Sequence, residues 1–223
     1  MATVPLFAAF EAHVINVTAH IENALWVSPE AIEFGTVFPQ EYLKKIAFVR
    51  LSESFMADDQ IRVGIVDYVI NQKPKPRPEF EIEIGISEAR TWCHDNGPSD
   101  AGNPNDSYYD DCYPSLCPYL SKTVDAFPFD NDTGVLAFHN PGVQAVGRLE
   151  KFTAPFPDDG DYWTIDLAVP CFEGYCAQDW ATFVTGINPN ADPAEFILPK
   201  EMEHETFGCD LWFEVTGISA PVD

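Results

Sequence analysis

Along most of its patterned stretches this chain alternates apolar with polar residues, and a period of two places successive side chains on opposite faces of a β-sheet. The alternation first appears at residues 15–21, where Ile15, Val17, Ala19 and Ile21 share one face and Asn16, Thr18 and His20 the other. It returns at 46–51, 61–72, 79–86, 134–139, 145–151, 163–169 and 209–215. In 61–72 the apolar parity changes near Gly64, as at a bulge or in a strand passing between two layers. In 79–86, Phe80, Ile82, Ile84 and Ile86 share one face and Glu79, Glu81 and Glu83 the other, an acidic face of the kind that discourages stray sheet pairing. Helical signals are brief: residues 178–184, and a start at Asp192 and Pro193, an N-cap followed by proline at the first helical position. The expected fold is all-β, a jelly-roll or immunoglobulin-like β-sandwich with long loops and one or two short helices. A closed barrel is the alternative.

At 223 residues the chain is long enough for one large β-domain. The organisation expected is an N-terminal apolar donor segment over 1–12 and a single β-sandwich domain over 13–223, with a polar loop insertion at 93–117. The first segment carries Val4, Leu6, Phe7, Ala8 and Phe10 with no polar face of its own, so it must be buried against something. The groove of a neighbouring copy is one such place, because an extended segment adds readily to a free sheet edge. This run is too short for a complete signal peptide and reads as a mature N-terminus whose leader has been removed.

With 46% hydrophobic residues, including 17 Phe and 5 Trp, there is enough apolar surface for a core, so a formal charge of -24 describes the surface and not disorder. A body with 36 acidic and 12 basic residues repels phosphate backbones and anionic lipid, which argues against nucleic acid and against the bilayer. No apolar stretch approaches the length of a membrane span.

Six cysteines, Cys93, Cys112, Cys117, Cys171, Cys176 and Cys209, form an even set in an acidic, β-rich chain and are read as disulfides of an exported protein. Six thiols allow 15 pairings. Cys171 and Cys176 are close enough in sequence to pair locally, and Cys93 and Cys112 flank the polar insertion whose base they would staple. Zinc is the competing reading of the two Cys-x4-Cys spacings. Asn16, Asn105 and Asn131 begin tripeptides that accept N-linked glycans where the host supplies them.

Catalytic patterns are missing from the sequence. His13, His20, His94, His139 and His204 are scattered, and Glu203-His204-Glu205 has Gly208 where a zinc-protease helix needs its second histidine. No Gly-x-Ser-x-Gly elbow or glycine-rich phosphate loop occurs. No cofactor is expected, with calcium as the exception considered: Asp130 and Asp132 in one turn, and Asp158, Asp159 and Asp161 in another, gather hard oxygen ligands beside glycines. The same residues also make ordinary Asp-Gly turns. The stretch Lys73-Pro74-Lys75-Pro76-Arg77-Pro78 is a stiff extended connection, or else a basic tooth for an acidic neighbour.

Leu6-Phe7-Ala8-Ala9-Phe10, followed by Asn16-Val17-Thr18-Ala19-His20-Ile21, resembles the start of the TasA and camelysin group of exported biofilm-fibre subunits. The cysteines, the Lys-Pro stretch and residues 169–180 depart from that group's pattern. The resemblance implies a jelly-roll body and a homopolymer built by donating the N-terminal strand to the next subunit. The resulting expectation is a non-enzymatic subunit of an extracellular filament or pilus, with itself as partner, at the cell surface or in a biofilm matrix. A calcium-stabilised adhesin or carbohydrate-binding module, with exposed aromatic rings stacking on sugars, is the alternative.

Overall fold

The computed structural model describes residues 23–57, 63–124, 132–152 and 157–220, and within them seven strands form two antiparallel sheets. In chain order the strands are β1 (Leu25–Ser28), β2 (Tyr42–Leu51), β3 (Ile65–Lys73), β4 (Thr123–Val124), β5 (Ala145–Glu150), β6 (Gly160–Ala168) and β7 (Asp210–Ser219). The first sheet has the order β1-β2-β6-β4 and the second β5-β3-β7. Alternation does what period two requires. Ala47, Val49 and Leu51 of β2 and Trp163, Ile165 and Leu167 of β6 are buried on the inner face of the first sheet, against Val66, Tyr68 and Ile70 of β3. Each large side chain fully removed from water contributes about 1.5 to 3 kcal/mol, so this layer dominates the favourable side of folding. The parity change read near Gly64 is not a bulge of β3: β3 pairs with β5 in unbroken register from Ile65 to Ile70, and the register shift between Asp67 and Tyr68 in its pairing with β7 leaves the extra residue, Thr216, on β7.

Residues 134–139 do not form a strand. Val135 bridges to Lys122 and Thr133 to Val146, which stitches the β4 side of the first sheet to the β5 edge of the second. The opposite side of the sandwich is bounded by β1 and β7.

Among the described residues five short α-helices occur where one or two were expected: α1 (Glu53–Ala57), α2 (Pro78–Ile84), α3 (Ile86–Asp95), α4 (Tyr108–Asp111) and α5 (Trp180–Ile187). The expected strand over 79–86 is replaced by α2, Gly85 and the start of α3. Pro78 sits at the first helical turn, Glu79 and Glu81 lie where the helix dipole favours negative charge, and Gly85 ends the helix at φ 95°, a conformation that suits glycine. Of the alternating apolar residues only Phe80 packs, edge-on to Trp92, while Ile82 is 85% exposed. The expected helix over 178–184 is α5, and Asp192 caps a short 3-10 turn over Pro193–Phe196 by accepting from Ala194 N at 3.0 Å.

A satellite core of Cys93, Tyr108, Tyr109, Cys112 and Met202 holds α3 and α4 beside the sandwich. Within the insertion, the Asp106 carboxylate accepts from the backbone N of Ser99, Asp100 and Tyr108, which fixes an otherwise irregular loop.

All six cysteines are paired, as Cys93–Cys112, Cys117–Cys209 and Cys171–Cys176. The first closes the base of the insertion and the last is the local pair. The second spans 92 residues and ties the start of β7 to the connection before β4. Loop-closure entropy ranks them: about 2 kcal/mol for the 171–176 bridge, about 3 for 93–112 and about 4.5 for 117–209. Replacing Cys117 and Cys209 together by serine is therefore expected to lower stability most and the 171–176 pair least. Urea unfolding of the three double variants checks the order, and alkylation of native protein without reductant is expected to label no thiol.

Candidate functional site

Three buried polar groups stand out, and each is answered differently. At the centre, Tyr68 reaches across from β3 to β6, donating its hydroxyl proton to Asp161 Oδ2 while accepting from Trp163 Nε1 at 2.7 Å. Burial, followed by the charge of Asp161, pushes the Tyr68 hydroxyl far above its ordinary pKa, so it stays a donor. The ring passes over Gly147 on β5, where a Cβ would overlap the Tyr68 ring. A residue without a side chain at 147 is what lets a tyrosine lie here.

Lys122, beside β4, is fully buried with Nζ 3.4 Å from His139 Nε2. His139 is also near Gln72 Nε2 (3.2 Å), Leu120 O (3.2 Å) and Asn140 O (2.9 Å). Burial pushes the Lys122 amine down to about 7, and burial together with the Lys122 charge lowers His139. Among the described residues no carboxylate stands within ion-pair distance of this amine, so the charged form loses its water without that compensation and the proton comes off near neutrality.

Asp166 of β6 belongs to the outer parity of the first sheet yet is 2% exposed, because the Tyr42 ring shelters it. Its Oδ2 accepts from Ser121 Oγ at 2.8 Å and Tyr42 OH at 2.9 Å, and burial together with Asp166 holds the Tyr42 hydroxyl up at about 12. This outer face carries exposed Trp26, Ile46 and Tyr162, with Phe48 stacked on Tyr162 at 4.5 Å between ring centroids and Arg50 over the Trp26 ring at 4.6 Å.

The residues singled out from the sequence fall in several places. The donor residues Val4, Leu6, Phe7, Ala8 and Phe10 lie outside the described residues, as do the alternating stretch 15–21, Asn16, Asn131 and Asp130. Asn105 is exposed on the disulfide-closed insertion. Asp132 and Asp161, from turns read as separate calcium candidates, both act on Tyr68, and Asp132 Oδ1 accepts from Arg148 N at 2.8 Å. Asp158 pairs backbone to backbone with Glu150, and the Asp159 carbonyl accepts from Leu51 N. Among the described residues, no group of three or more His, Cys, Asp or Glu side chains is placed to hold a metal ion.

The Lys-Pro stretch docks on its own chain: Lys73 pairs with Glu214 at 3.0 Å, Lys75 with Asp210 at 3.8 Å and Arg77 with Glu205 at 3.8 Å. Those contacts match the stiff-connection reading.

What the pattern of residues did not reveal is the unfinished side of the sandwich. Among the described residues β7 has a strand neighbour only on its β3 side, leaving a ten-residue edge. Its inward residues Leu211 and Phe213 pack on the core, whereas Val215 and Ile218, opposite Tyr68 and Val66, are 42% and 48% exposed. An inward-facing apolar residue that stays half-exposed marks a layer with no cover at that edge. The signal was present in the alternation of 209–215, but the missing neighbour is a property of sheet order.

Because the folded chain holds Lys122 at about 7 and the unfolded chain at its ordinary 10.5, the unfolded state binds more protons between those values. Stability therefore rises with pH above 7, with a slope of up to about 1.4 kcal/mol per pH unit. Lys122→Met is expected to raise stability at pH 7 by about 2 to 4 kcal/mol and to flatten the rise between pH 7 and 9.5. Urea midpoints of both proteins across that range test this, and an equal slope in the variant would overturn it.

Among the described residues no helix is long and apolar enough to cross a membrane. Compared with protein-family models, with curated proteins and with solved structures, the chain matches none.

Proposed function

We propose that the chain is a non-catalytic structural subunit of an extracellular filament, in which residues 4–10 of one copy add as a strand beside β7 of the next. The body is read as a jelly-roll or immunoglobulin-like sandwich lacking one strand at that edge. One observation carries the reading: the ten-residue β7 edge without a second strand neighbour among the described residues, with Val215 and Ile218 facing inward and half-exposed. A strand placed there gains a ladder of main-chain hydrogen bonds and covers both side chains. The donor supplies Val4, Leu6, Phe7 and Phe10, each contributing about 1.5 to 3 kcal/mol on full burial, against the entropy of ordering the segment. Three disulfides suit an oxidising compartment, and the acidic surface keeps subunits soluble before they are joined.

Full-length protein is expected to form long polymers under the electron microscope, and removal of residues 1–10 to leave a folded β-domain that does not extend. A peptide of those ten residues is expected to bind the shortened protein, and Val215→Asp to weaken that binding at least about tenfold, the effect of roughly 1.4 kcal/mol. Native-looking filaments from the shortened protein would exclude donation from this end. A monomer at every concentration would favour the adhesin or carbohydrate-binding alternative.

A further inference from the structure

The outer face of the first sheet carries a row of rings across three strands. Trp26 of β1 stands opposite Arg50 of β2, and Phe48 of β2 stands opposite Tyr162 of β6. Trp26 meets Phe48 edge-on at 6.2 Å between ring centroids, and Phe48 stacks on Tyr162. The row depends on Gly160, where a Cβ would come within 2.8 Å of the Phe48 ring. Trp26 and Tyr162, at its two ends, are about half exposed.

Beside Phe48, where β2 runs into α1, lies a cavity of about 330 Å³ lined by Phe48, Arg50, Leu51, Glu53, Met56 and Asp159. That is the lower end of ligand-site sizes, with room for one ring-sized unit. The Arg50 guanidinium lies over the Trp26 ring, and its carboxylate neighbour among the described residues is Glu53, 3.7 Å away and itself 91% exposed. A hydrogen bond is shorter than that. Arg50 Nε is buried and has no hydrogen-bond partner among the described residues. The fold therefore places this guanidinium by stacking, and its planar set of donors is left without an acceptor there.

The cavity wall carries both signs of charge. A carboxylate or phosphate ligand would meet Glu53 and Asp159 on a body of formal charge -24, and an ammonium ligand would meet Arg50. An uncharged polyol suits both, because its hydroxyls accept from the guanidinium and donate to the carboxylates. A pyranose adds an apolar C–H face that fits the Phe48 ring and Met56. We propose that the cavity holds one uncharged sugar unit of a polysaccharide, with Arg50, Glu53 and Asp159 on its hydroxyls, Phe48 and Met56 against its apolar face, and Trp26 and Tyr162 touching the units on either side. The inference goes beyond filament formation and uses neither residues 4–10 nor β7. A subunit so equipped fastens to polysaccharide whether or not copies join.

The test is calorimetric titration of the full-length protein with soluble oligosaccharides of glucose, galactose, mannose and N-acetylglucosamine, and with oligogalacturonate as the charged control. At least one neutral probe is expected to bind, and oligogalacturonate to bind at least about tenfold more weakly than it. Glu53→Ala/Asp159→Ala changes two exposed side chains, so it is expected to keep the circular dichroism and melting of the parent while weakening the neutral probe at least about tenfold. Arg50→Met keeps an unbranched stem against Trp26 but removes the donors, and the same loss is expected. If Arg50→Met fails to fold, the double variant alone decides. No binding of any neutral probe, a preference for oligogalacturonate, or unchanged affinity in a folded variant overturns the site. Sugar binding by a parent that stays monomeric at every concentration leaves the site standing and removes only the filament reading.

Discussion

Everything in the sandwich is arranged around one hydrogen-bonded crossing, the Tyr68 hydroxyl between Asp161 and Trp163. A carboxylate 1% exposed between two sheets would cost several kcal/mol without strong donors, and the tyrosine is one group that reaches it. The requirement spreads outward. Tyr68 needs Gly147 bare on the neighbouring strand, β3 must keep its register with β5 where β7 bulges at Thr216, and β6 must present Asp161 and Trp163 on the same face. The interlayer spacing and the register of three strands are thereby coupled through a single side chain.

Lys122 is the contrasting case. Its amine has His139 nearby and, among the described residues, no carboxylate, so burial lowers it to about 7 and the charge is shed as the pH rises past that value. The two buried sites give the interior a polar centre that is satisfied and a polar end that responds to pH. Only the second is expendable for stability.

Local features of the fold were legible because they depend on neighbours in sequence. Alternation over 46–51 and 163–169 located the inner layers, the five-residue separation of Cys171 and Cys176 suggested their bridge, and Asp192 before Pro193 marked a helical start. The stretch 79–86 misled because period two was weighed alone. Pro78, the early glutamates and Gly85 were capping signals in the same residues, and the isoleucines that seemed to define an inner face are exposed. Tyr68 and Asp161 lie 93 residues apart and Lys122 and His139 17 apart, so their meeting follows from sheet order and not from any local pattern. The same is true of the β7 edge, since a strand's own residues carry no mark of whether a neighbour stands beside it.

The covalent bridges also decide what a cut in the chain can do. Cys93–Cys112 spans the exposed insertion, and Cys117–Cys209 spans β4, β5, β6 and α5. A protease that nicks the backbone anywhere inside these two loops, which together cover about half of the chain, releases no fragment. The strands on either side remain one molecule, and β7 stays attached to the sheet that bears β1. One cut in each loop therefore shortens nothing built from the protein, whereas a second cut within the same loop leaves the segment between the two held by packing alone.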